Sequence, residues 1–132
     1  MVEWDTLLNV KRVREELAVS QAELADLLGV SARAVQSCEQ GWRRPGPALE
    51  KSLLLLLLAA RNGPHFGESA CWQASESPHA ACDQCLVHRS RQGHLCWLLS
   101  GNVCGGRRLR CWFDKKTMCG ECGFMGRLLT GH

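Results

Sequence analysis

The sequence predicts a mainly α-helical chain. A bundle of four or five helices is expected over residues 1–62, then a linker over 63–70, a small loop-rich, cysteine-rich module over 71–127 and a tail over 128–132. The first part follows from apolar residues at helical spacing, punctuated by capping residues. The second follows from the cysteines: Cys38 stands alone, while Cys71, Cys82, Cys85, Cys96, Cys104, Cys111, Cys119 and Cys122 crowd the second half. Between them, Asn62-Gly-Pro-His-Phe-Gly67 has the composition of a linker.

From Trp4 to Leu17, apolar Leu7, Leu8, Val10, Val13 and Leu17 fall close to one stripe, with Lys11, Arg12, Glu15 and Glu16 off it, so this stretch reads as a first helix. Ser20-Gln-Ala-Glu23 fits a capping box, which starts a second helix near Gln21; Gly29 ends it because glycine tolerates the left-handed conformation. Ser31 caps a third helix through about Gln40, and Gly41 is placed to stop it. Pro45-Gly-Pro47 punctuates the chain before a fourth helix from about Ala48 to Arg61.

The fourth helix carries leucine on every side between Leu53 and Leu58, more apolar surface than one face of a small bundle covers. The surplus implies a partner, either a second subunit or the C-terminal module. The run lies between Lys51 and Arg61 and is far shorter than the ~20 residues that span a bilayer, so no membrane association is expected. After Gly67 no long periodic segment survives. Cys-Trp recurs at Cys71-Trp72, Cys96-Trp97 and Cys111-Trp112, at spacings too unequal for a solenoid.

A chain of 132 residues holds one ordinary domain or two very small ones. Parts below about 70 residues usually need a staple. The N-terminus, MVEWDTLLNVKRVREE, is charged throughout and lacks the apolar core of a secretion signal, so the cytoplasm is the default compartment. Thiols there stay reduced, which favours metal over disulfides as the staple. Net charge is +3, but residues 1–62 balance eight Lys/Arg against eight Asp/Glu, so bulk charge identifies no partner.

Local geometry is more informative. Gln21 to Gln40 packs two short helices around a turn if Leu24, Leu28, Val30, Val35 and Cys38 point inward, Ala25 lets the helices approach and Gly29 makes the corner. The alternative is an ordinary helical hairpin. Over about Leu7 to Leu58 the chain resembles the Cro/lambda-repressor (XRE) helix-turn-helix family, chiefly in the run S-x-x-x-V-x-x-x-E-x-G from Ser31 through Val35 and Glu39 to Gly41. That resemblance implies a compact bundle acting as a homodimer on a pseudo-palindromic site in double-stranded DNA. It assigns phosphate contact to Gln21 and base reading to Ala32, Arg33 and Ser37, with Gln36 alongside. It also pairs Glu39 with Arg14, and it puts Cys38 where the family commonly carries a bulkier apolar residue.

The helical period supports the same face. Arg33, Ser37 and Gln40 follow i, i+4, i+7, opposite Val35 and Cys38. An arginine at position 33 forks onto guanine O6 and N7, Gln36 suits adenine, and Arg43 and Arg44 suit phosphates.

In the C-terminal half, Cys82-Asp-Gln-Cys85 and Cys119-Gly-Glu-Cys122 are two C-x2-C pairs, a spacing that lets both thiolates of a pair reach one ion or cluster. The pattern from Cys71 to Cys122 resembles the cysteine-rich two-CW domain appended to bacterial regulatory proteins. On that pattern Cys71, Cys82, Cys85, Cys96, Cys104, Cys119 and Cys122 match as metal ligands, and Cys111 is additional. One four-thiolate site with spare redox-capable thiols stands beside two sites. Thiolates suit zinc and iron-sulfur clusters alike; tryptophans beside cysteines, as a dry wall, tip the reading slightly towards iron-sulfur. His79, His88 and His94 are available as substitutes, and none is assigned.

No enzyme is expected, because the chain lacks a nucleophile-base arrangement, a phosphate-cradling glycine loop after a strand, and a thioredoxin-like setting for its C-x2-C pairs. The expected function is a sequence-specific, DNA-binding transcriptional regulator, redox- or metal-responsive, whose metal centre changes dimer geometry through the fourth helix. The rival readings are a zinc-stapled protein-protein adaptor and a thiol-disulfide redox protein.

Overall fold

The structure, a computed structural model, describes residues 2–66, 95, 97–98, 103–104, 107–108 and 111–130. It is mainly helical and divides between Ala60 and Arg61 into two compact units, Val2 belonging with the second.

The first unit begins with α1 (Trp4–Leu7) and α2 (Val10–Leu17), where the sequence predicts a single helix. Asn9 is the reason for the break. Its backbone is extended, and its side chain accepts the Arg12 N–H at 3.1 Å, starting a new helix where an asparagine competes well with the backbone. α2 buries Val10 and Val13 and stops at Ala18, a non-glycine residue in the left-handed region at φ 56°.

α3 (Gln21–Leu28) carries the expected capping box: the Glu23 N–H donates to the Ser20 hydroxyl at 3.1 Å, and the Ser20 N–H donates to the Glu23 carboxylate at 2.9 Å. Gly29 ends the helix at φ 71°. A Cβ there would meet nothing within 4 Å, so the demand for glycine is conformational rather than steric. Ser31 then caps α4 (Ala32–Glu39) by accepting the Ala34 N–H at 3.1 Å.

α3 packs chiefly on α4, and α2 also reaches α4. Leu24, Ala25 and Val35 are buried in this unit, whereas Leu28 and Cys38 are half-buried. Val30 departs from its inward assignment and is exposed. It follows the left-handed Gly29, with its N–H spent on the Ala25 carbonyl, so the chain turns its side chain to the rim of the corner.

α5 (Pro47–Asn62) starts on the proline that fits a first helical position. Leu53, Leu54, Leu57 and Leu58 are buried and Leu55 and Leu56 half-buried within the chain. The exposed large apolar side chains, among the described residues, are Leu27, Val30, Trp42 and Phe113.

In the second unit a 3-10 turn (Gly63–His65) occupies part of the expected linker. A two-residue antiparallel ladder joins β1 (Val103–Cys104) to β2 (Arg107–Arg108). Two helices follow where loops are expected, α6 (Trp112–Cys119) and α7 (Gly123–Thr130), and α7 runs through the start of the expected tail with Leu128 buried.

The end of α7 has specific partners. A helix leaves its last four carbonyls without backbone partners. Here the Arg127 carbonyl accepts the Thr130 hydroxyl at 3.0 Å, the Leu128 carbonyl accepts Asn62 Nδ2 at 2.8 Å, and the Leu129 carbonyl accepts an Arg61 guanidinium N–H at 2.9 Å. Arg61 also puts a cation at the negative end of the helix dipole.

Candidate nucleic-acid interface

α4 is amphipathic along its length. Val35 is 2% exposed on the inner side, while Ala32, Arg33 and Gln36 are exposed and Ser37 is half-buried. Gln40 is exposed at the C-cap of the helix, and Gln21 is half-buried at the first position of α3. Arg43 and Arg44, just beyond α4, are exposed. None of these eight residues is buried, and Arg33, Ser37 and Gln40 share one side of the helix.

The end of α4 is closed by a tight hydrogen-bonded turn. Gly41 takes φ 79°, its N–H donates to the Cys38 carbonyl at 3.2 Å, and the Trp42 N–H donates to the Ser37 carbonyl at 3.0 Å. These are the two bonds of a Schellman motif, and they fix the direction in which the chain leaves the helix.

α4 is braced from behind by Arg14. Its Nε donates to Glu39 Oε2 at 2.9 Å, a terminal nitrogen donates to Oε1 at 3.0 Å, and the other donates to the Val19 carbonyl at 3.3 Å. The hydrogen bond to Glu39 holds the guanidinium more firmly protonated than usual, the Glu39 charge adding to it against the cost of desolvation. Glu39 is the only carboxylate between Ser31 and Leu49, and its side chain is 6% exposed. With that charge tied to Arg14, the outward charges of the segment are Arg33, Arg43 and Arg44.

Trp42 stands outside the residues that the sequence predicts to contact DNA. It is 78% exposed, the largest such value among the large apolar side chains described. The signal was available in the chain order, an aromatic residue between a helix-stopping glycine and two arginines.

Of the cysteines, Cys119 is buried at the last position of α6 and Cys122 is half-buried just before α7. The Cys122 N–H donates to the Cys119 carbonyl at 3.1 Å, which closes the C-x2-C segment into one tight turn. The Gly120 carbonyl in that turn accepts the Val2 N–H at 3.1 Å. Cys111 is exposed at the start of α6, and Cys104 lies on β1 opposite Arg107. Cys71, Cys82, Cys85 and Cys96 lie outside the described residues, as do His79, His88 and His94. Among the described residues, no group of three or more His, Cys, Asp or Glu is placed to hold a metal ion. Trp97 and Trp112, which follow cysteines, are buried; Trp72 is outside the described residues.

No helix among the described residues is long and apolar enough to cross a membrane. Comparison with models of known protein families, with curated proteins and with solved structures finds no match.

Proposed function

We propose that this chain is a sequence-specific DNA-binding transcriptional regulator of the helix-turn-helix type, reading the major groove of duplex DNA with α4. One observation carries the reading: α4 buries Val35 while Ala32, Arg33, Gln36 and Gln40 are exposed, with its single carboxylate tied to Arg14. An α-helix fits the major groove, and an exposed arginine and glutamine are the side chains that pair bidentately with guanine and adenine. Gln21, Arg43 and Arg44 act as phosphate contacts and set the register. A homodimer supplies two copies of α4 for two half-sites one helical turn apart on the duplex.

The cysteine module is the sensing part of the proposal. Cys119 and Cys122 are shielded thiols on one tight turn, a donor pair of the soft kind that zinc or an iron-sulfur cluster takes. The remaining ligands come from Cys71, Cys82, Cys85, Cys96 and Cys104, with Cys111 in reserve. An iron-sulfur cluster supplies one-electron redox chemistry there, and zinc supplies structural closure. Coupling to the DNA-reading helices runs through α5, whose last residues, Arg61 and Asn62, hold the end of the helix that follows the Cys119–Cys122 turn.

The test is selection from a random-sequence duplex library with the purified full chain. Enrichment of a two-fold related motif, lost in Arg33→Ala together with Gln36→Ala, is the expected result. Failure of the intact protein to enrich any motif overturns it.

A further inference from the structure

We infer that Trp42 is a non-ionic anchor for the sugar-phosphate backbone of the same duplex, packing its indole on a deoxyribose while Arg43 and Arg44 meet the flanking phosphates. This inference rests on the DNA-binding reading above and adds to it a residue and a mode of contact.

Three observations combine. Trp42 is 78% exposed, although a Trp side chain carries roughly 150–250 Å² of surface whose contact with water is unfavourable. Its backbone is fixed at the same time, because its N–H is held by the Ser37 carbonyl at 3.0 Å and the preceding Gly41 is locked at φ 79°. Ser37 belongs to the face that α4 offers to base edges, so the backbone of Trp42 is tied to the backbone of a residue of that face. An anchored aromatic loses little freedom on binding, since only its two side-chain torsions remain to be ordered.

Charge selects the occupant. From Gln40 to Leu49 the chain holds Arg43 and Arg44 and no acidic residue. A second copy of the chain docking two-fold about Trp42 would bring Arg43 and Arg44 against their own counterparts, and like charges facing each other disfavour that interface. A polyanion with apolar patches between its charges meets both features. The backbone of duplex DNA is that surface, with a deoxyribose C–H face between successive phosphates.

The experiment titrates the duplex enriched by the selection above against the intact protein and its Trp42→Ala, Trp42→Phe and Arg43→Ala/Arg44→Ala variants at several salt concentrations. Trp42→Ala is expected to bind about tenfold more weakly with an unchanged salt slope, and Trp42→Phe within about threefold of the parent. The double arginine variant is expected to lose affinity and lower the salt slope by up to about two, one per phosphate contact. Unfolding midpoints of the Trp42 variants should match the parent, because the ring is exposed. Parental affinity in Trp42→Ala, with binding still lost in Arg33→Ala, overturns the anchor and leaves the DNA-binding reading standing. Conversion of a dimer to monomer by Trp42→Ala in the absence of DNA also overturns it, by assigning the ring to self-association. If the parent binds no duplex, the failure is that of the DNA-binding reading itself.

Discussion

Arg14 on α2 forks onto Glu39 at the end of α4 across 25 residues of sequence, with both carboxylate oxygens engaged at 2.9 and 3.0 Å. A third bond, to the Val19 carbonyl, fixes the guanidinium plane. The pair holds the last turn of α4 against α2 and ties up the one carboxylate that the chain carries between Ser31 and Leu49. Arg14→Lys keeps the charge but loses the fork, so it should lower the thermal midpoint of the first unit. Glu39→Gln should lower it as well. The double variant Arg14→Lys/Glu39→Gln should lose less than the sum of the two single changes, since each alone already breaks the same fork. Thermal unfolding of the four proteins measures the coupling; strict additivity would show that the fork contributes nothing.

The capping box of α3 predicts a pH dependence. Hydrogen bonds from Ser20, its backbone N–H first, hold the Glu23 carboxyl below its ordinary value of 4.5. A carboxylate lowered in the folded state stabilises it fully above the unfolded value, and that stabilisation disappears as pH falls through the folded value. The parent should therefore be more stable than Glu23→Gln above about pH 5, and the two should converge as pH drops below 4.5. Ser20→Ala should cost about 1 kcal/mol at neutral pH. Urea unfolding at a series of pH values checks both statements. A constant difference between parent and Glu23→Gln down to pH 3 would contradict the first.

Asn62 should matter out of proportion to its size. It is 3% exposed, and its amide donates to the Leu128 carbonyl at 2.8 Å at the end of α7. Asn62→Ala strands that acceptor, for a loss of about 1–3 kcal/mol in the second unit. Hydrogen exchange at the last turn of α7 should speed up in step. Unchanged exchange and stability would show that the cap is dispensable.

The features that were legible in the sequence are local ones. Ser20 with Glu23, Gly29, Ser31, Gly41 and Pro47 each act within a few residues of themselves, and each marks an element boundary within a residue or so. Asn9 is equally local, but it lies between Leu8 and Val10 in a run of apolar residues that satisfies a helical period on its own, so the break it makes was hidden. In the cysteine-rich half the inner positions of α6 are Trp112, Lys115 and Cys119, a set with a buried lysine that no hydrophobicity pattern reveals. α7 places Gly123 and Gly126 in a helix whose buried residues, Phe124, Met125 and Leu128, do keep a helical spacing. The glycines and the flanking cysteines made that stretch read as loop. In the first unit, the exposed face of α4 could be read from spacing alone, whereas the shielding of the Glu39 side chain and the exposure of Trp42 needed three dimensions.

The metal proposal has its own test. Anaerobic purification followed by metal analysis and a visible absorption spectrum should give either a brown protein with iron and sulfide or a colourless protein with zinc, at a fixed ratio to the chain. Cys119→Ser/Cys122→Ser should lower the metal content and weaken the parent's affinity for duplex. Full metal content in that variant would contradict the placement of the site on the Cys119–Cys122 turn.

The most direct measurement is a binding titration of the selected duplex with the parent and with Arg33→Ala and Gln36→Ala, each against the cognate site and against single base-pair changes within it. Each substitution should cost about 1–3 kcal/mol on the cognate site and should relax discrimination at one position of each half-site. Equal affinity of parent and variants, or an equal loss on every sequence, would contradict base reading by α4.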